Sequence, residues 1–507
     1  MPQQITIVGL GPGDPRFLTL EAHQVLSQAE EIHLRTRRHP VVSALPERAA
    51  IQSFDALYDT AESFPVLYQA IAQRVLALGE REQGVVYAVP GHPLVGETTV
   101  TLILAGARER GLAVRLVDGL SFVEPILSAL HLDALDGLQL ADALDVAQQH
   151  SPLLDPDRPA LLGQLYSRQV ASDVKLTLMN VYPEDHPVTV VCAAGTGDEQ
   201  VRTLPLMELD RQEVDHLTSL YVAPLARTGS IISFQEQIAH LRSPMGCPWD
   251  REQTHQSLRN NLLEETYEVL AALDLDDMDE LKEELGDLLL QIVLHAQIAT
   301  ECSEFTLPEV VNHIYEKLRR RHPHVFGEVA VAGSEEILRN WEEIKRAEKG
   351  TQRIASTFKG VSAALPALAR AQAISERAAR VGFDWPDLQA VWGKFDEEAA
   401  ELRDAADPES QAHEVGDVLF TLVNVARRRK VDAESALREA TMRFVARVEA
   451  VEEEAIALGR QPQDMTLQEL DQLWQQAKQR QQHSRGRGTA SSPDPAADPE
   501  TPFAQNR

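Results

Sequence analysis

Through the first 225 or so residues, short β-rich runs alternate with amphipathic stretches. Ile5–Val8, Val85–Val89, Val114–Val117 and Val188–Cys192 read as strands, and 65–78 and 98–110 carry helical periodicity. Strand and helix in alternation, with glycines at the strand ends, predict an α/β domain over 1–225. Near residue 230 the texture changes, and 226–240 reads as a linker. Amphipathic helical patterns follow at 257–273, 278–300, 307–321, 335–349, 388–405, 411–429 and 433–458, which predict an all-α region. Residues 479–507, rich in Gln, Arg, Ser, Pro and Asp, lack the apolar content to bury a surface and are expected to be disordered.

The helical region repeats itself. Glu264-Glu265-Thr-Tyr-Glu268, followed by Glu284-Leu-Gly-Asp287, is echoed by Glu397-Glu398-Ala-Ala-Glu401, followed by Glu414-Val-Gly-Asp417. The copies divide the region into 241–350 and 351–478. At about 100° per residue, the three glutamates of each EExxE share one sector of a helix, and each ExxD pair shares a face of the next. The stretch between them is long enough to end one helix, turn, and start an antiparallel partner. Up to five carboxylates thus converge between two helices, where they repel one another unless a cation neutralises them. All-oxygen ligation selects a hard ion, Mg²⁺ or Mn²⁺, and magnesium held by a few carboxylates is the usual partner of substrate phosphates. One EExxE alone is more often a wet helix face. The strongly apolar residues after Asp287 and Asp417 suggest buried helices instead, and the doubling argues against coincidence.

Composition is consistent with this chemistry. The chain carries 78 acidic against 48 basic side chains, a formal net charge of −30, and a surface of that sign repels a nucleic acid duplex. Three cysteines, Cys192, Cys247 and Cys302, stand far apart without CxxC spacing, which speaks against a disulfide framework or a zinc site. Cys247, Trp249 and Trp385 are expected to serve packing. No basic leader and no uninterrupted apolar run of about 18 residues occurs, so a cytoplasmic protein without a membrane partner is expected.

Several stretches resemble the MazG family of pyrophosphohydrolases: Cys247-Pro-Trp-Asp-Arg-Glu-Gln-Thr-His255, Leu263-Glu-Glu-Thr-Tyr-Glu-Val269, Glu284-Leu-Gly-Asp-Leu288, Arg320-Arg-His-Pro-His-Val-Phe326 and Arg380-Val-Gly-Phe-Asp-Trp385. The match runs in order from about Pro244 to Gln475. It implies tandem all-α domains, a homodimer, and Mg²⁺-dependent cleavage of nucleoside triphosphates to monophosphate and pyrophosphate, for clearance of the nucleotide pool. Metal ligands would be Glu265, Glu268, Glu284 and Asp287, and in the second copy Glu398, Glu401, Glu414 and Asp417. Glu264, Glu265, Glu268, Glu397 and Glu398 would carry catalysis. Lys317, Arg320, Arg321 and His324 would hold the phosphates at the first site, and Lys394, Arg443 and Arg447 at the second. The second copy departs from the family pattern at Arg443, where lysine is usual, and at Ala446, which replaces an arginine.

In the α/β half, Val8-Gly9-Leu-Gly11-Pro-Gly13-Asp14 follows the first strand but is not the GxGxxG of a dinucleotide fold. With Leu18-Thr-Leu-Glu-Ala22, Val89-Pro-Gly-His-Pro-Leu-Val-Gly96 and Gly119-Leu-Ser-Phe122 it resembles the tetrapyrrole (class III) methylase family, two-lobed α/β proteins that bind S-adenosylmethionine between the lobes. Gly9, Gly11, Gly13, Pro90, Gly91 and Ser121 would line that cofactor's cleft. His92 stands where many members carry aspartate. The whole arrangement resembles the YabN-type proteins of bacteria. Two other readings stand beside a pyrophosphohydrolase. One is a methyltransferase acting on a tetrapyrrole-like or other small acceptor, with the helical half as a regulatory nucleotide-binding module. The other is a non-catalytic nucleotide-binding protein.

Overall fold

The computed structural model describes residues 5–488 except 59, 328, 332, 335, 338–339, 342–343, 345–357 and 359–360, with the backbone alone at 481–488. The chain divides into two compact units, Met1–Arg259 with Leu290–Thr306, and Asn260–Leu289 with Leu307–Arg507.

The first unit opens with five strands, β1 (Ile5–Gly9), β2 (Glu31–Leu34), β3 (Ala50–Ser53), β4 (Val85–Val89) and β5 (Val114–Val117), which form a parallel sheet in the order β3-β2-β4-β1-β5. Both faces are covered, as a parallel sheet requires. Along β1, Ile5 and Ile7 pack toward helices α2 (Phe64–Gly79) and α3 (Thr98–Arg110), while Val8 and Leu10 pack on the other face against α1 (Leu20–Gln28). After helix α4 (Val123–Leu130), a second lobe holds β6 (Gln139–Asp142), β7 (Ala160–Gly163), β8 (Pro187–Cys192), β9 (Gln200–Pro205) and β10 (Thr218–Val222), in the order β6-β7-β10-β8-β9. Here only β6 and β7 run parallel. Helix α5 (Arg168–Leu178) buries Val170, Ala171, Val174 and Leu178 in this lobe's core.

The stretch 226–240, expected as a linker, carries most of helix α6 (Ile231–Arg242), whose first turn is capped by Ser230. Arg242, buried at the end of α6, makes two hydrogen bonds to Glu301 (2.9 and 2.8 Å) and donates to the carbonyls of Asp250 and Gln253. The Cys-Pro-Trp-Asp segment is thereby tied down. Trp249, expected to pack, is 65% exposed, and Cys247 is only partly buried. Trp385 is partly buried, and its carbonyl accepts from Arg428.

The helical half comprises α7 (Arg259–Leu275), α8 (Met278–Glu301), α9 (Leu307–Arg321), α10 (Ala367–Arg380), α11 (Leu388–Asp404), α12 (Pro408–Arg428), α13 (Ala433–Ala457) and α14 (Leu467–Gly488). The helix expected over 335–349 falls largely outside the described residues. Helix α14 continues to Gly488, so the expected disordered tail does not begin at 479; Gln and Arg sustain a helix well. Residues 489–507 lie outside the description. Among the described residues, no helix is long and apolar enough to cross a membrane.

Packing at the strand ends is tight. A Cβ on Gly9 would meet Gly91 O at 2.6 Å and Gly119 N at 2.7 Å, both backbone atoms that cannot swing aside. Gly9→Ala is therefore expected to destabilise the α/β unit by about 1–3 kcal/mol. Gly197→Ala, where nothing lies within 4 Å, serves as a near-neutral control. Denaturant melts of the two variants check this.

Candidate functional site

Helices α7 and α8 are joined at Asp276 and Asp277. Asp276 adopts φ 55°, and Asp277 accepts from the backbone N–H groups of Asp279 and Glu280, both at 3.1 Å, which starts α8 sharply. The turn brings Glu265 and Glu268 of α7 against Glu284 of α8. One carboxylate oxygen from each lies within 4.8 Å of the others. Glu284 is buried, Glu265 is half-buried and Glu268 is exposed. Burial, and then the carboxylates of Glu268, Glu280, Asp287 and Glu265, push the Glu284 carboxyl above its ordinary range. Asp287 is half-buried on α8 and close enough to act on Glu284, but it stands outside the triad. Glu264 is exposed and also outside it.

The second copy builds the same figure. Asp407 caps α12 by accepting from the N–H groups of Glu409 and Ser410 (3.1 and 3.0 Å), and α11 and α12 pack together. Glu398, Glu401 and Glu414 bring carboxylate oxygens within 4.8 Å of one another. Glu398 is buried, and Glu414 Oε2 is a buried oxygen with no hydrogen-bond partner. An orphaned buried carboxylate oxygen amid two others suits a cation. Burial and the neighbouring Glu398 raise the Glu401 carboxyl, and Lys394 counters them. Lys394 Nζ lies 3.0 Å from Glu397 Oε1 and 2.7 Å from Glu398 Oε1. Asp417 is half-buried, 3.4 Å from His413 Nε2, and outside the triad.

The basic candidates are arranged differently in the two copies. Lys317, Arg320 and Arg321 share one face of α9, and His324 lies in the short helix Pro323–Phe326 that follows. The Arg321 guanidinium sits 5.6 Å from the Trp341 ring centre. Of the second copy's candidates, Lys394 lies at the cluster. Arg443 pairs with Glu439 at 3.1 Å on its own helix, and Arg447 lies over the Trp474 ring of α14 at 5.6 Å.

The apolar runs following the acidic pairs are less buried than their sequences suggest. Leu285, Leu289 and Ile292 on α8 are exposed, and so are Val415, Leu419 and Leu422 at the same spacing on α12. Each set recurs at i, i+4 and i+7, a continuous stripe along its helix.

In the α/β unit the three glycine-bearing segments meet at the carboxyl ends of β1, β4 and β5, where an open parallel sheet offers its ligand crevice. Gly11 and Gly91 exchange backbone hydrogen bonds (3.2 and 2.9 Å). Gly9 and Gly119 are required by this close packing itself. Gly91, at φ 66°, has only Ser121 Cα nearby, at 3.9 Å from where a Cβ would sit, so its backbone stays approachable. Gly13, at φ 133°, faces Thr196 of the second lobe. Pro90 is partly buried. The Ser121 hydroxyl and N–H both donate to Glu124 Oε2 (2.6 and 2.7 Å), so its side chain already starts α4. His92 accepts from Leu94 N at Nδ1 (3.0 Å), which turns Nε2 toward Asp118 at 3.5 Å.

Some features had no signal in one-dimensional pattern. Arg35, after β2, pairs with the buried Glu97 at 2.7 Å and donates to Tyr58. Burial alone would lower the Arg35 pKa, and Glu97 together with Tyr58, Tyr87 and Tyr68 outweighs it and raises the value. His255, part of a quoted motif but given no role, stacks on His295 with Nδ1 atoms 2.8 Å apart. Arg438 pairs with Asp274 at 2.6 Å, which links helices α13 and α7 of different copies. Such partners stand 23 to 164 residues apart in the chain.

Comparison with known proteins agrees with this division. The family profile described as "MazG nucleotide pyrophosphohydrolase domain" matches residues 253–326, which hold the first cluster. That described as "Tetrapyrrole (Corrin/Porphyrin) Methylases" matches residues 4–210. The uncharacterized protein YabN of Bacillus subtilis (strain 168) is 40% identical over 494 residues, covering 96% of this chain and all of the relative. The nucleoside triphosphate pyrophosphohydrolase/pyrophosphatase MazG of Thermotoga maritima is 45% identical over 250 residues, 49% of this chain and 96% of that protein. Among solved structures, uroporphyrin-III-C-methyltransferase from Thermus thermophilus aligns with 44% of this chain and 93% of its own, at 24% identity and a TM-score of 0.35. With two glutamate triads in its helical half and a relative matched end to end, the chain belongs to the YabN-type members of the MazG family, in which a tetrapyrrole-methylase-like domain precedes the MazG region.

Proposed function

We propose that the helical half hydrolyses nucleoside and deoxynucleoside triphosphates to the monophosphate and pyrophosphate with Mg²⁺, or with Mn²⁺ in its place. The observation that carries this reading is the pair of glutamate triads, each with three carboxylate oxygens inside 4.8 Å. Glu265, Glu268 and Glu284, with Asp287 beside them, would hold the ion in the first copy, and Glu398, Glu401 and Glu414, with Asp417, in the second. A bound divalent ion supplies charge neutralisation to the phosphates and lowers the pKa of a coordinated water. The side chains do the rest. Lys317, Arg320, Arg321 and His324 bind and orient the phosphate oxygens at the first site, with Lys394 in that role at the second. Arg443 and Arg447, beside Glu439 and the Trp474 ring on and against α13, would bind phosphate oxygens there with their remaining donors. Glu264 and Glu397, next to the ligand glutamates, take the proton of the attacking water. The product that leaves is pyrophosphate, whose charge the same basic residues balance.

The exposed stripes on α8 and α12 support a homodimer, because two equal apolar surfaces on one chain find cover in a second copy. A cytoplasmic site of action follows from the substrate. In the α/β unit, the approachable Gly91 backbone beside Gly11, Gly13 and Pro90 fits S-adenosylmethionine, while Gly9 and Ser121 act as supporting structure. Methyl transfer to a small acceptor is the activity this domain would add.

Incubation with a panel of nucleoside triphosphates is expected to yield monophosphate and pyrophosphate, and EDTA is expected to abolish turnover. Release of orthophosphate with a diphosphate product would overturn the assigned bond cleavage. Glu268→Gln combined with Glu401→Gln should lower turnover by at least about a thousandfold, without loss of the folded state, since metal-based electrostatic stabilisation is removed from both sites.

The raised Glu284 carboxyl has a consequence for pH. A folded-state pKa above the unfolded value contributes stability at low pH that is lost as pH rises through the folded value. The ion-free protein should therefore lose part of this stability above the ordinary carboxylate range, and Mg²⁺ should restore it. Thermal melts with and without Mg²⁺ are expected to differ more at pH 8 than at pH 5. Equal gains at both values would detach Glu284 from the ion site.

Calorimetry of S-adenosylmethionine with the full-length protein is expected to show saturable binding. Absence of heat at millimolar ligand would leave the α/β unit as a scaffold.

A further inference from the structure

The hairpin that forms the first acidic cluster turns at the end of α7, and that end is electrostatically unfavourable. The peptide dipoles leave partial negative charge at a helix C-terminus. The last turn of α7 adds Asp274 there and contains no basic residue. Asp274 is also drawn inward, its side chain 15% exposed, whereas Asp276 and Asp277 are exposed. The cation for this position comes from the second copy. Arg438 of α13 donates from Nε to Asp274 Oδ2 at 2.6 Å and from Nη2 to Ser435 Oγ at 3.2 Å. The start of α13 is itself fastened to α10. Ala433 N donates to Gln372 Oε1 (2.9 Å), and Glu434 Oε2 accepts from Ala369 N (3.3 Å). The arginine thus reaches α7 from a fixed frame.

The residues for a tie in the other direction are not in place. Helix α11, the counterpart of α7, carries Arg403 in its own last turn, and Asp404, at the place of Asp274, is exposed. On the spacing that sets Arg443 opposite Lys317, the counterpart of Arg438 on α9 is the neutral Asn312.

We propose that Arg438 is a positioning residue of the first acidic cluster: from the second copy it holds the end of α7, and with it the hairpin that sets Glu265 and Glu268 against Glu284. The proposal rests on the reading of that triad as a cation site. Three converging carboxylates push the two helices apart, and a charge-assisted hydrogen bond largely out of water resists that push with a defined geometry. Removing one partner leaves the other charge partly buried and uncompensated, which loosens the turn. The second copy thereby serves the first site whatever its own turnover.

Binding of Mn²⁺ without nucleotide, read by electron paramagnetic resonance, tests this on the full-length chain. Glu401→Gln/Glu414→Gln leaves only the first cluster intact, and Glu268→Gln/Glu284→Gln leaves only the second. Arg438→Met is expected to weaken binding at the first cluster at least about tenfold. A purely electrostatic influence has the opposite sign, since loss of a nearby positive charge favours a cation among carboxylates. Reversal of the pair, Asp274→Arg/Arg438→Asp, should restore most of the lost affinity. Unchanged or tighter binding on Arg438→Met would overturn the positioning role, and so would an equal weakening at the second cluster. Should Arg438→Met fail to fold, as read by circular dichroism, Asp274→Asn decides by comparison with Asp279→Asn, which removes the same charge from an exposed position. Equal effects of these two would also overturn it. If the first-cluster protein binds no Mn²⁺ before any change at Arg438, the reading of the triad as a cation site falls, and the proposal with it.

Discussion

Like charges held together between two antiparallel helices govern the helical half of this protein. Each glutamate triad concentrates negative charge in a space of a few ångströms, and part of that charge is buried. Nothing in helix formation favours this. The arrangement persists because the turns at Asp276–Asp277 and Asp407 fix where the second helix of each pair begins. The cost is expressed locally, as carboxyls such as Glu284 and Glu401 that resist ionisation. A cluster that resists its own charge has a high affinity for positive charge, and that property underlies the proposed chemistry.

The two copies satisfy the constraint by different means. In the second, Lys394 sits among the glutamates, and the arginines further along α13 are engaged with Glu439 and Trp474. In the first, the basic residues gather on one face of α9.

The α/β unit obeys a steric constraint instead of an electrostatic one. Gly9, Gly91 and Gly119 let three backbone segments approach more closely than any side chain allows. Two of these glycines are explained by that approach alone, which leaves Gly91 as the open edge. The buried pair of Arg35 and Glu97 shows the same economy, since each charge makes the other's burial tolerable.

Much of this was legible in the sequence. The switch from β-rich runs to helical periodicity marks the boundary between the α/β and helical halves, since side-chain periods of about 2 and 3.6 leave distinct patterns. The doubled EExxE–ExxD spacing identified both triads, because residues three and four apart share a helix face whatever the tertiary context. Short strands such as Glu31–Leu34, Ala160–Gly163 and Thr218–Val222 escaped notice, because four or five residues carry too little periodicity to stand out. Only the tertiary structure decided that Glu264, Asp287 and Asp417 stand beside the triads, that Arg443 pairs with Glu439 and that Arg447 lies over the Trp474 ring. It also decided that the apolar stripes after the acidic pairs are exposed. The reason is common to all of these. Local pattern sets which face of a helix a residue occupies, but what that face meets depends on the packing of segments distant in the chain.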